Sequence, residues 1–331
     1  MRIAIVSDAW HPQVNGVVRT LSAVTQGLTA AGHEVAVIDP DGFRTLPCPG
    51  DRSVRLAVAA RPSLSRRLEA LRPEAIHIAT EGPLGLAARS YCLRRGWCFT
   101  TAYHTRFPEY LHARYRLPKS VVYGVLRRFH APSSAVMVAT ATVRRELAER
   151  GFARLVPWTR GVDTELFRPG LAPAVDLPRP VFLFVGRITA EKDLPAFLDL
   201  DLPGSKLVVG DGALLAQMKR RYPEVHFAGA QSGEALVGYY AAADVLVLPS
   251  RTETFGLVVI EALACGVPVA AFPVPGPFDI IGDGGPGALD NDLHSAALAA
   301  LTIPAEHCRA HALRFSWQTS VDQFLGHLAW L

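Results

Sequence analysis

Several patterns that define common protein classes are missing from this 331-residue sequence. Its five cysteines are odd in number and include no Cys-x-x-Cys pair, so neither a disulfide framework nor a zinc ribbon is indicated. No apolar run reaches the roughly 18 residues that a membrane-spanning helix needs. Apolar residues make up 50% of the chain and charged residues 19%, a composition that excludes a disordered protein.

Short motifs of several enzyme classes are missing as well. No Walker A, Gly-x-Ser-x-Gly or His-Glu-x-x-His segment occurs. Val209–Leu215 begins like a dinucleotide-binding fingerprint, but Leu215 stands where the third glycine is needed, which disfavours a Rossmann oxidoreductase. His307 and His311 have the helical spacing of metal ligands without an evident third ligand. We therefore expect no metal and no cofactor, and without an RNA or DNA motif we expect no nucleic-acid partner.

Acidic residues are scarce in the first half of the chain. Residues 1–170 contain 24 Lys and Arg against 13 Asp and Glu, whereas residues 171–331 contain 10 against 17. A basic half beside an acidic half favours two domains with different partners. The basic half suits an anionic lipid, a nucleic acid or a phosphorylated ligand; the alternative is a solvated surface that is rich in arginine.

Apolar runs that alternate with helical patterns predict an α/β protein with parallel sheets. The strand-like runs are 3–6, 35–38, 75–78, 99–101, 135–139, 181–185, 206–209, 225–228, 245–248 and 267–272. Clustered prolines near residue 170 mark a linker, so we predict one domain over 1–170 and a second over 171–315. The last stretch, 316–331, predicts an amphipathic helix that packs back on the first domain.

The most informative segment is Pro249–Gly266, in which a buried strand is followed by a turn and a helix. A helix N-terminus at this position is an anion site, because its N–H groups lack partners and the helix dipole is positive there. Glu253 lies in the turn and Glu261 lies within an otherwise apolar helix. Sugar or ribose hydroxyls could bind these carboxylates. The alternative is an internal bond from an arginine or a backbone N–H to Glu261.

Two cations follow the first strand of the second half. Arg187 and Lys192 lie in the strand-to-helix connection, within the acidic part of the chain. Cations at this position can stabilise a departing diphosphate. The alternative is a surface ion pair between Glu191 and Lys192.

Two loops of the first half supply further candidates. The loop that contains Asn15 and Gly16 follows the first strand and opens a helix, where glycine lets the backbone approach a phosphate. A simple Asn-Gly helix cap would explain the same residues. His104 lies just past a later strand and could contact a sugar or an acceptor, although a lone loop histidine often has no such role.

Residues 111–130 mix cations with an apolar stripe. The cations are Arg114, Arg116, Lys119, Arg127 and Arg128. This composition is typical of a helix that docks on an anionic membrane surface. An ordinary amphipathic helix whose stripe lies in the core fits equally well.

Together these segments resemble the retaining GT-B glycosyltransferases of family 4, also called glycosyl transferases group 1. Glu253–Glu261 reproduces the E-x7-E motif of that family, and Gly186–Lys192 reproduces its diphosphate-binding segment. Residues 12–19 and Tyr103–Thr105 are similar to a narrower branch of bacterial mannosyl-, glucuronosyl- and sulfoquinovosyl-transferases that act on lipids such as diacylglycerol. The resemblance implies two Rossmann-like domains whose parallel sheets face each other across a cleft.

The resemblance also implies roles for individual residues. Glu253 would hold hydroxyls of the donor sugar and Glu261 the nucleotide ribose. Arg187 and Lys192 would bind the diphosphate beneath the Gly16 loop. The implied catalytic residues are His104, Arg187, Lys192 and Glu253. The implied substrate-binding residues are Asn15, Gly16, Arg187, Lys192, Glu253, Thr254, Phe255, Gly256, Leu257 and Glu261.

The expected activity is a retaining, metal-independent transfer of a sugar from a UDP- or GDP-sugar to a hydroxyl acceptor. We expect the acceptor to be a membrane lipid such as diacylglycerol. Three alternatives stay open: a soluble glycan acceptor, a nucleotide-sugar epimerase or sugar phosphorylase of the same fold, and a non-catalytic nucleotide-sugar sensor. The chain opens directly on a strand pattern at Arg2–Val6, without an apolar signal-peptide core. We therefore expect a cytoplasmic protein, which a lipid acceptor would bring to the inner face of the cell membrane.

Overall fold

Short apolar runs, spaced so that a helix fits between them, form the two main sheets of this protein. The computed structural model describes residues 1–13, 15–48, 51–58 and 60–331, of which 48 and 51–54 are described by their backbone alone. The chain divides into two compact units, one made of Met1–Arg160 with Trp317–Leu331 and the other of Gly161–Ser316. Parallel strands covered by helices on both faces are apolar throughout, as Val181–Val185 shows by being buried at every position.

The first unit contains a parallel sheet and one hairpin. Its strands are β1 (Arg2–Val6), β2 (Glu34–Ile38), β3 (Thr45–Cys48), β4 (Asp51–Ala57), β5 (Ala75–Ile78), β6 (Thr100–Tyr103), β7 (Ala135–Val138) and β8 (Leu155–Pro157). The sheet order is β2-β1-β5-β6-β7-β8, all parallel, and β3 pairs with β4 in an antiparallel hairpin outside this sheet. Ile3 lies opposite Val35 on one side and Ala75 on the other, which fixes the register of the central strand.

Helices cover the first sheet. They are α1 (Gly16–Ala30), α2 (Arg61–Leu71), α3 (Pro83–Arg95), α4 (Phe107–Tyr115), α5 (Lys119–His130) and α6 (Ala141–Glu149). Helix α1 buries the apolar positions Val18, Leu21, Val24 and Leu28, whose spacing of three and four residues puts them on one face.

The second unit repeats the architecture. Its strands are β9 (Val181–Val185), β10 (Ser205–Val209), β11 (His226–Gly229), β12 (Val245–Leu248), β13 (Val269–Ala271) and β14 (Gly287–Leu289). Its helices are α7 (Leu194–Leu198), α8 (Leu215–Arg221), α9 (Gly233–Ala241), α10 (Leu257–Ala264), α11 (Pro275–Ile281), α12 (Leu293–Ala300) and α13 (Ala305–Ala312), with a 3₁₀ turn at Ala190–Lys192. The sheet order is β11-β10-β9-β12-β13-β14, and every pair is parallel.

The proline-rich segment near residue 170 packs on the second unit. The backbone N–H of Val162 donates to the carbonyl of Phe315 over 3.1 Å, and that of Ala174 donates to the carbonyl of Gly238 over 2.9 Å. The ring of Phe167 packs edge-on against Tyr240. The structural division therefore follows Arg160, whereas the sequence places it near residue 170.

The last helix, α14 (Trp317–His327), packs on the first unit. It buries Val321 and Phe324, and its Ser320 carbonyl accepts a hydrogen bond of 3.1 Å from the indole N–H of Trp158. This helix joins the core around Ile3 and Ile5 of β1. No helix in the described part of the chain is both long and apolar enough to cross a membrane.

Candidate functional site

The second sheet changes the direction of its strand order between β9 and β12. From β9 the chain continues outward through β10 to β11, and from β12 it continues the other way through β13 to β14. In open parallel sheets, ligands bind beside the carboxyl ends of the strands at such a change of direction. The loop after β9 carries Arg187 and Lys192, and the loop after β12 carries Glu253. The predicted residues therefore lie where this fold class binds ligands.

Two glycines let the loops after β9 and β10 lie against each other. Gly210 has a φ of +150°, and a Cβ there would lie 1.8 Å from the carbonyl oxygen of Gly186. Gly212 has a φ of +157°, and a Cβ there would lie 2.5 Å from the carbonyl oxygen of Ile188. A side chain at either position would displace the loop that carries Arg187. Close packing of these loops therefore explains both glycines, without a third glycine for a dinucleotide.

Arg187 and Lys192 each pair with a carboxylate. Nη2 of Arg187 donates to Oε1 of Glu191 over 3.1 Å, and Nζ of Lys192 pairs with Oε1 of Glu253. The side chain of Arg187 is 42% exposed and that of Lys192 is 23% exposed, so both cations can be reached by an anion. Glu191 thus pairs with Arg187 instead of its neighbour Lys192, which differs from the alternative weighed on sequence.

The loops after β9 and β12 are tied together around Glu253. Glu253 is 9% exposed, and Lys192 supplies the positive charge that a buried carboxylate requires. The hydroxyls of Ser250 and Thr252 donate to the carbonyl oxygen of Glu191 over 3.3 and 3.5 Å. These bonds hold two acids and two cations close together at one edge of the sheet.

Helix α10 begins directly after this loop. Its N-cap is Gly256, whose φ of +92° lies in the left-handed region, and no side chain of the described residues caps the helix. The first N–H groups of a helix have no intrahelical acceptor and attract anions. Leu257, the first helical residue, and Thr254 are partly exposed. Phe255 instead turns inward and packs edge-on against Phe315.

Glu261 lies deeper, in the second turn of α10. It is 2% exposed, and its Oε2 accepts a hydrogen bond of 3.1 Å from the hydroxyl of Tyr240 on α9. A buried carboxylate needs such donors, because burial without them costs several kcal/mol. This donor is a phenol, a type of partner that the sequence does not suggest beside an arginine or a backbone N–H.

The first sheet has the same change of strand order, here between β1 and β5. Asp8 follows β1, and its carboxylate accepts hydrogen bonds of 2.9 Å from the Thr80 hydroxyl, 2.9 Å from the N–H of Leu84 and 3.3 Å from the N–H of Gly85. Burial raises the pKa of Asp8 despite these bonds. Asp8 therefore binds the N-terminus of α3 to the loop after β1.

Asn15 caps α1 in the same unit. Its Oδ1 accepts hydrogen bonds from the N–H groups of Val17 and Val18, both of 3.0 Å. Gly16 is the exposed first residue of the helix. Asn15 thus has the capping geometry that sequence analysis gave as the alternative, while the backbone of Gly16 is accessible.

His104 lies directly after β6 and packs on two residues near the end of the sheet. Its ring is edge-on to Trp158, and its Nδ1 lies 3.3 Å from Nη2 of Arg160. Burial, the charge of Arg160, and the neighbouring His77 and His130 lower the pKa of His104 well below its ordinary value.

Two residues of these clusters, Tyr240 and Arg160, are not among the predicted site residues. Tyr240 lies 21 residues before Glu261, and Arg160 lies 56 residues after His104. No local spacing pattern connects residues that are so far apart. Only the hydrogen bond between α9 and α10, and the contact of the segment after β8 with His104, identify them. Neither residue lies in a motif that the sequence singles out.

The predicted site residues fall into two groups. The second unit holds Arg187, Lys192, Glu253, Thr254, Phe255, Gly256, Leu257 and Glu261, and the first unit holds Asn15, Gly16 and His104. Among the predicted residues of the second unit, Lys192 and Glu253 are in direct side-chain contact.

The His307 and His311 pair has a structural explanation. Nε2 of His311 bonds the carbonyl oxygen of Ile280 over 2.7 Å, and Cys308 between them is buried, which raises the pKa of its thiol to about 12. Among the described residues, no cluster of three or more His, Cys, Asp or Glu side chains could hold a metal ion.

Comparisons with known proteins identify the family of this chain. The profile of the family "Glycosyl transferases group 1" matches residues 172–319, and that of "Glycosyltransferase Family 4" matches residues 14–166. A GDP-mannose-dependent alpha-mannosyltransferase of Mycobacterium tuberculosis is 30% identical over 99% of this chain and 96% of its own length. The GDP-mannose-dependent alpha-(1-6)-phosphatidylinositol dimannoside mannosyltransferase of the same species is 27% identical over 99% of this chain and 96% of its own length.

Solved structures show the same fold. The HepE protein of Anabaena, determined in complex with UDP and glucose, superposes with a TM-score of 0.73 at 16% sequence identity, covering 98% of each chain. The predicted α/β class with two parallel-sheet domains is thereby confirmed, as is the predicted family. This chain belongs to the family 4 glycosyltransferases, glycosyl transferases group 1, has their GT-B fold and uses a nucleotide sugar.

Proposed function

We propose that this protein transfers a hexosyl residue, with mannose the first candidate, from a GDP- or UDP-sugar to a hydroxyl of a membrane lipid. The transfer retains the anomeric configuration and uses no metal. The observation that carries the proposal is the pairing of Lys192 with Glu253, beside Arg187, where the strand order of the second sheet changes direction. The similar mannosyltransferases of Mycobacterium tuberculosis support mannose as the sugar.

In this proposal the diphosphate binds between the two cations and the N-terminus of α10. Arg187 and Lys192 neutralise the charge that develops on the leaving group as the glycosidic bond breaks. Such fixed charges do the work that a divalent cation does in other transferases, which is why we propose a metal-independent reaction. When Lys192 binds the phosphate instead of Glu253, the Glu253 carboxylate can accept hydrogen bonds from hydroxyls of the donor sugar.

Glu261 binds the ribose in the same proposal. Its carboxylate accepts from the hydroxyl of Tyr240 on one side and from ribose hydroxyls on the other. Because a diol offers two donors to one carboxylate, this contact favours a nucleotide over inorganic diphosphate. In keeping with the roles that the family resemblance implies, the loop of Asn15 and Gly16 lies over the diphosphate, and His104 contacts the transferred sugar.

A lipid acceptor is supported by the outer face of α5. The stripe predicted from sequence packs inward through Tyr123, Leu126 and Phe129. Val121 and Val125, one turn apart, are nevertheless 60% and 64% exposed. Exposed Lys119, Arg127 and Arg128 lie on the same helix. Exposed aliphatic side chains among cations are typical of a helix that binds an anionic bilayer peripherally.

The direct test is a transfer assay with the purified protein. GDP-mannose, UDP-glucose and other labelled nucleotide sugars are incubated with vesicles that contain diacylglycerol or phosphatidylinositol, and in parallel with soluble glycans. We expect label in the lipid phase and, by NMR, an α-linked product. Sugar conversion without any acceptor would favour an epimerase, release of sugar 1-phosphate a phosphorylase, a soluble product a glycan acceptor, and binding without turnover a sensor.

Membrane binding has its own test. Co-sedimentation with anionic vesicles at physiological salt should be lost in the Val121→Ser/Val125→Ser double variant. Leu86→Ser is the matched control, because Leu86 is 53% exposed on α3 of the same unit. Equal loss in the control, or no loss in the double variant, would contradict docking through α5.

A further inference from the structure

The environment of His104 is unusual because a buried arginine points at one nitrogen of its ring. Arg160 is 3% exposed, and its guanidinium lies over the ring of Trp158 at 4.2 Å. Its Nη1 donates to the carbonyl oxygens of Trp158 and Thr159 over 2.5 and 3.1 Å. Its Nη2 lies 3.3 Å from Nδ1 of His104. The arginine is thus fixed by three contacts before it meets the histidine.

The direction of the last hydrogen bond follows from the chemistry of its two partners. A guanidinium has N–H donors and no acceptor. Burial lowers the pKa of Arg160 to about 9, so the group keeps its charge at neutral pH. Nδ1 of His104 must therefore accept, and the single proton of the neutral ring must be on Nε2.

A second proton on the ring is also disfavoured. The charged and titratable groups that face His104 are Arg160 after β8, His77 on β5 and His130 at the end of α5. Protonation of His104 would break its bond with Arg160 and place two cations side by side within a buried cluster. The ring stays neutral across the physiological range.

We propose that Arg160 is a positioning residue that holds His104 as the neutral tautomer with its proton on Nε2, so that His104 donates one hydrogen bond to an oxygen of the transferred sugar and takes no proton in the reaction. The hydrogen bond from His104 to the sugar rests on the proposed function. The tautomer itself rests only on Arg160. A donor at this position suits a sugar hydroxyl or a ring oxygen, and it excludes His104 as the base that deprotonates the acceptor.

The tautomer can be measured without any substrate. In the full chain labelled with ¹⁵N-histidine, His104 should show a pyridine-type shift at Nδ1 and a pyrrole-type shift at Nε2, with no titration between pH 5.5 and 8. The loss of these signals in His104→Gln assigns them. Arg160→Met should mix the two tautomers and bring the ring into the titratable range, whereas Arg160→Lys, which keeps a cationic donor, should restore part of the wild-type pattern. A pyrrole-type Nδ1 in the wild type would overturn the proposal.

Kinetics then test the consequence for transfer. The amide of His104→Gln can reach the position of Nε2, whereas that of His104→Asn reaches only the position of Nδ1. We expect the Gln variant to keep a kcat about tenfold above that of the Asn variant, with little difference in KM. An Asn variant that outperforms the Gln variant would contradict the donor role. Absence of turnover in the wild type with every nucleotide sugar would refute the proposed function and leave the tautomer measurement intact.

Discussion

The hydroxyl of Tyr240 on α9 donates a hydrogen bond of 3.1 Å to Oε2 of Glu261 on α10, and both residues are buried. Tyr240 is fully buried and Glu261 is 2% exposed. This hydrogen bond fixes the position of Oε2 and thereby the orientation of the whole Glu261 carboxylate. In the proposed function, this orientation selects a ribose.

Tyr240→Phe tests this orientation. It removes the hydrogen bond and keeps the ring. The free energy of nucleotide binding should become less favourable by about 1.5–3 kcal/mol, which raises Kd about 10- to 100-fold. Calorimetric titration with GDP and UDP measures the change. Tyr239→Phe is the control, since Tyr239 is the partly exposed neighbour on the same helix. Unchanged nucleotide affinity in a folded Tyr240→Phe variant would show that the phenol does not orient Glu261.

Lys192→Met tests the diphosphate site. The substitution removes one cation that faces the leaving group, and we expect kcat/KM to fall by about 10²- to 10³-fold. Lys219→Met, on the exposed end of α8, removes the same charge elsewhere in the second unit and should leave kcat/KM unchanged. A decrease of less than threefold in Lys192→Met, or an equal decrease in both variants, would argue against the site.

Gly210→Ala tests the packing of the loops beneath Arg187. The new Cβ would lie 1.8 Å from the carbonyl oxygen of Gly186, so the loop must move. The free energy of unfolding of the second unit should fall by more than about 2 kcal/mol, and nucleotide binding should weaken with it. Gly229→Ala separates strain from contact, because Gly229 also has a positive φ of +73° but nothing lies within 4 Å of its Cβ position. Urea unfolding of both variants gives the comparison; equal losses would mean that the contact contributes nothing.

His77 should make the protein sensitive to mild acid. Burial, followed by the charge of Arg160, lowers the pKa of His77 to about 3. The unfolded chain, with a pKa near 6.5, therefore binds more protons than the folded one between pH 6.5 and 3. Stability is fully present above pH 6.5 and falls as the pH decreases, by at most about 1.4 kcal/mol per unit for this histidine.

His77→Asn measures that contribution. The amide can keep the 2.9 Å contact that Nδ1 of His77 makes with the hydroxyl of Thr100, without a titrating ring. Urea unfolding at pH 5, 6 and 7 should show a shallower pH dependence in this variant than in the wild type. Identical slopes would mean that His77 is not the residue that senses acid.

The sequence predicts most of the fold because its signals are local. Runs such as Val181–Val185 are too apolar for a surface strand, and their spacing leaves room for one helix each, which defines two parallel sheets. The hairpin β3–β4 and helices α7 and α11 lie outside the predicted elements, since each is short, polar or interrupted by proline. Proline content predicts a boundary near residue 170, whereas the segment there packs on the second unit through Phe167.

The candidate site is only partly predictable from sequence for the same reason. Arg187, Lys192, Glu253 and Glu261 stand in local motifs that follow strands, so sequence alone selects them. Which charges pair depends on tertiary packing: Lys192 contacts Glu253 61 residues away, not the adjacent Glu191. The buried partners Tyr240 and Arg160 carry no motif, and only the structure identifies them.

Crystal structures of the protein with bound GDP-mannose, and in parallel with bound UDP-glucose, would locate the diphosphate and the ribose. We expect diphosphate oxygens within hydrogen-bonding distance of Arg187, Lys192 and the N-terminus of α10. The ribose should contact Glu261, and Lys192 should move away from Glu253. A nucleotide sugar bound at another edge of the second sheet, with the Lys192–Glu253 pair unchanged, would contradict this prediction.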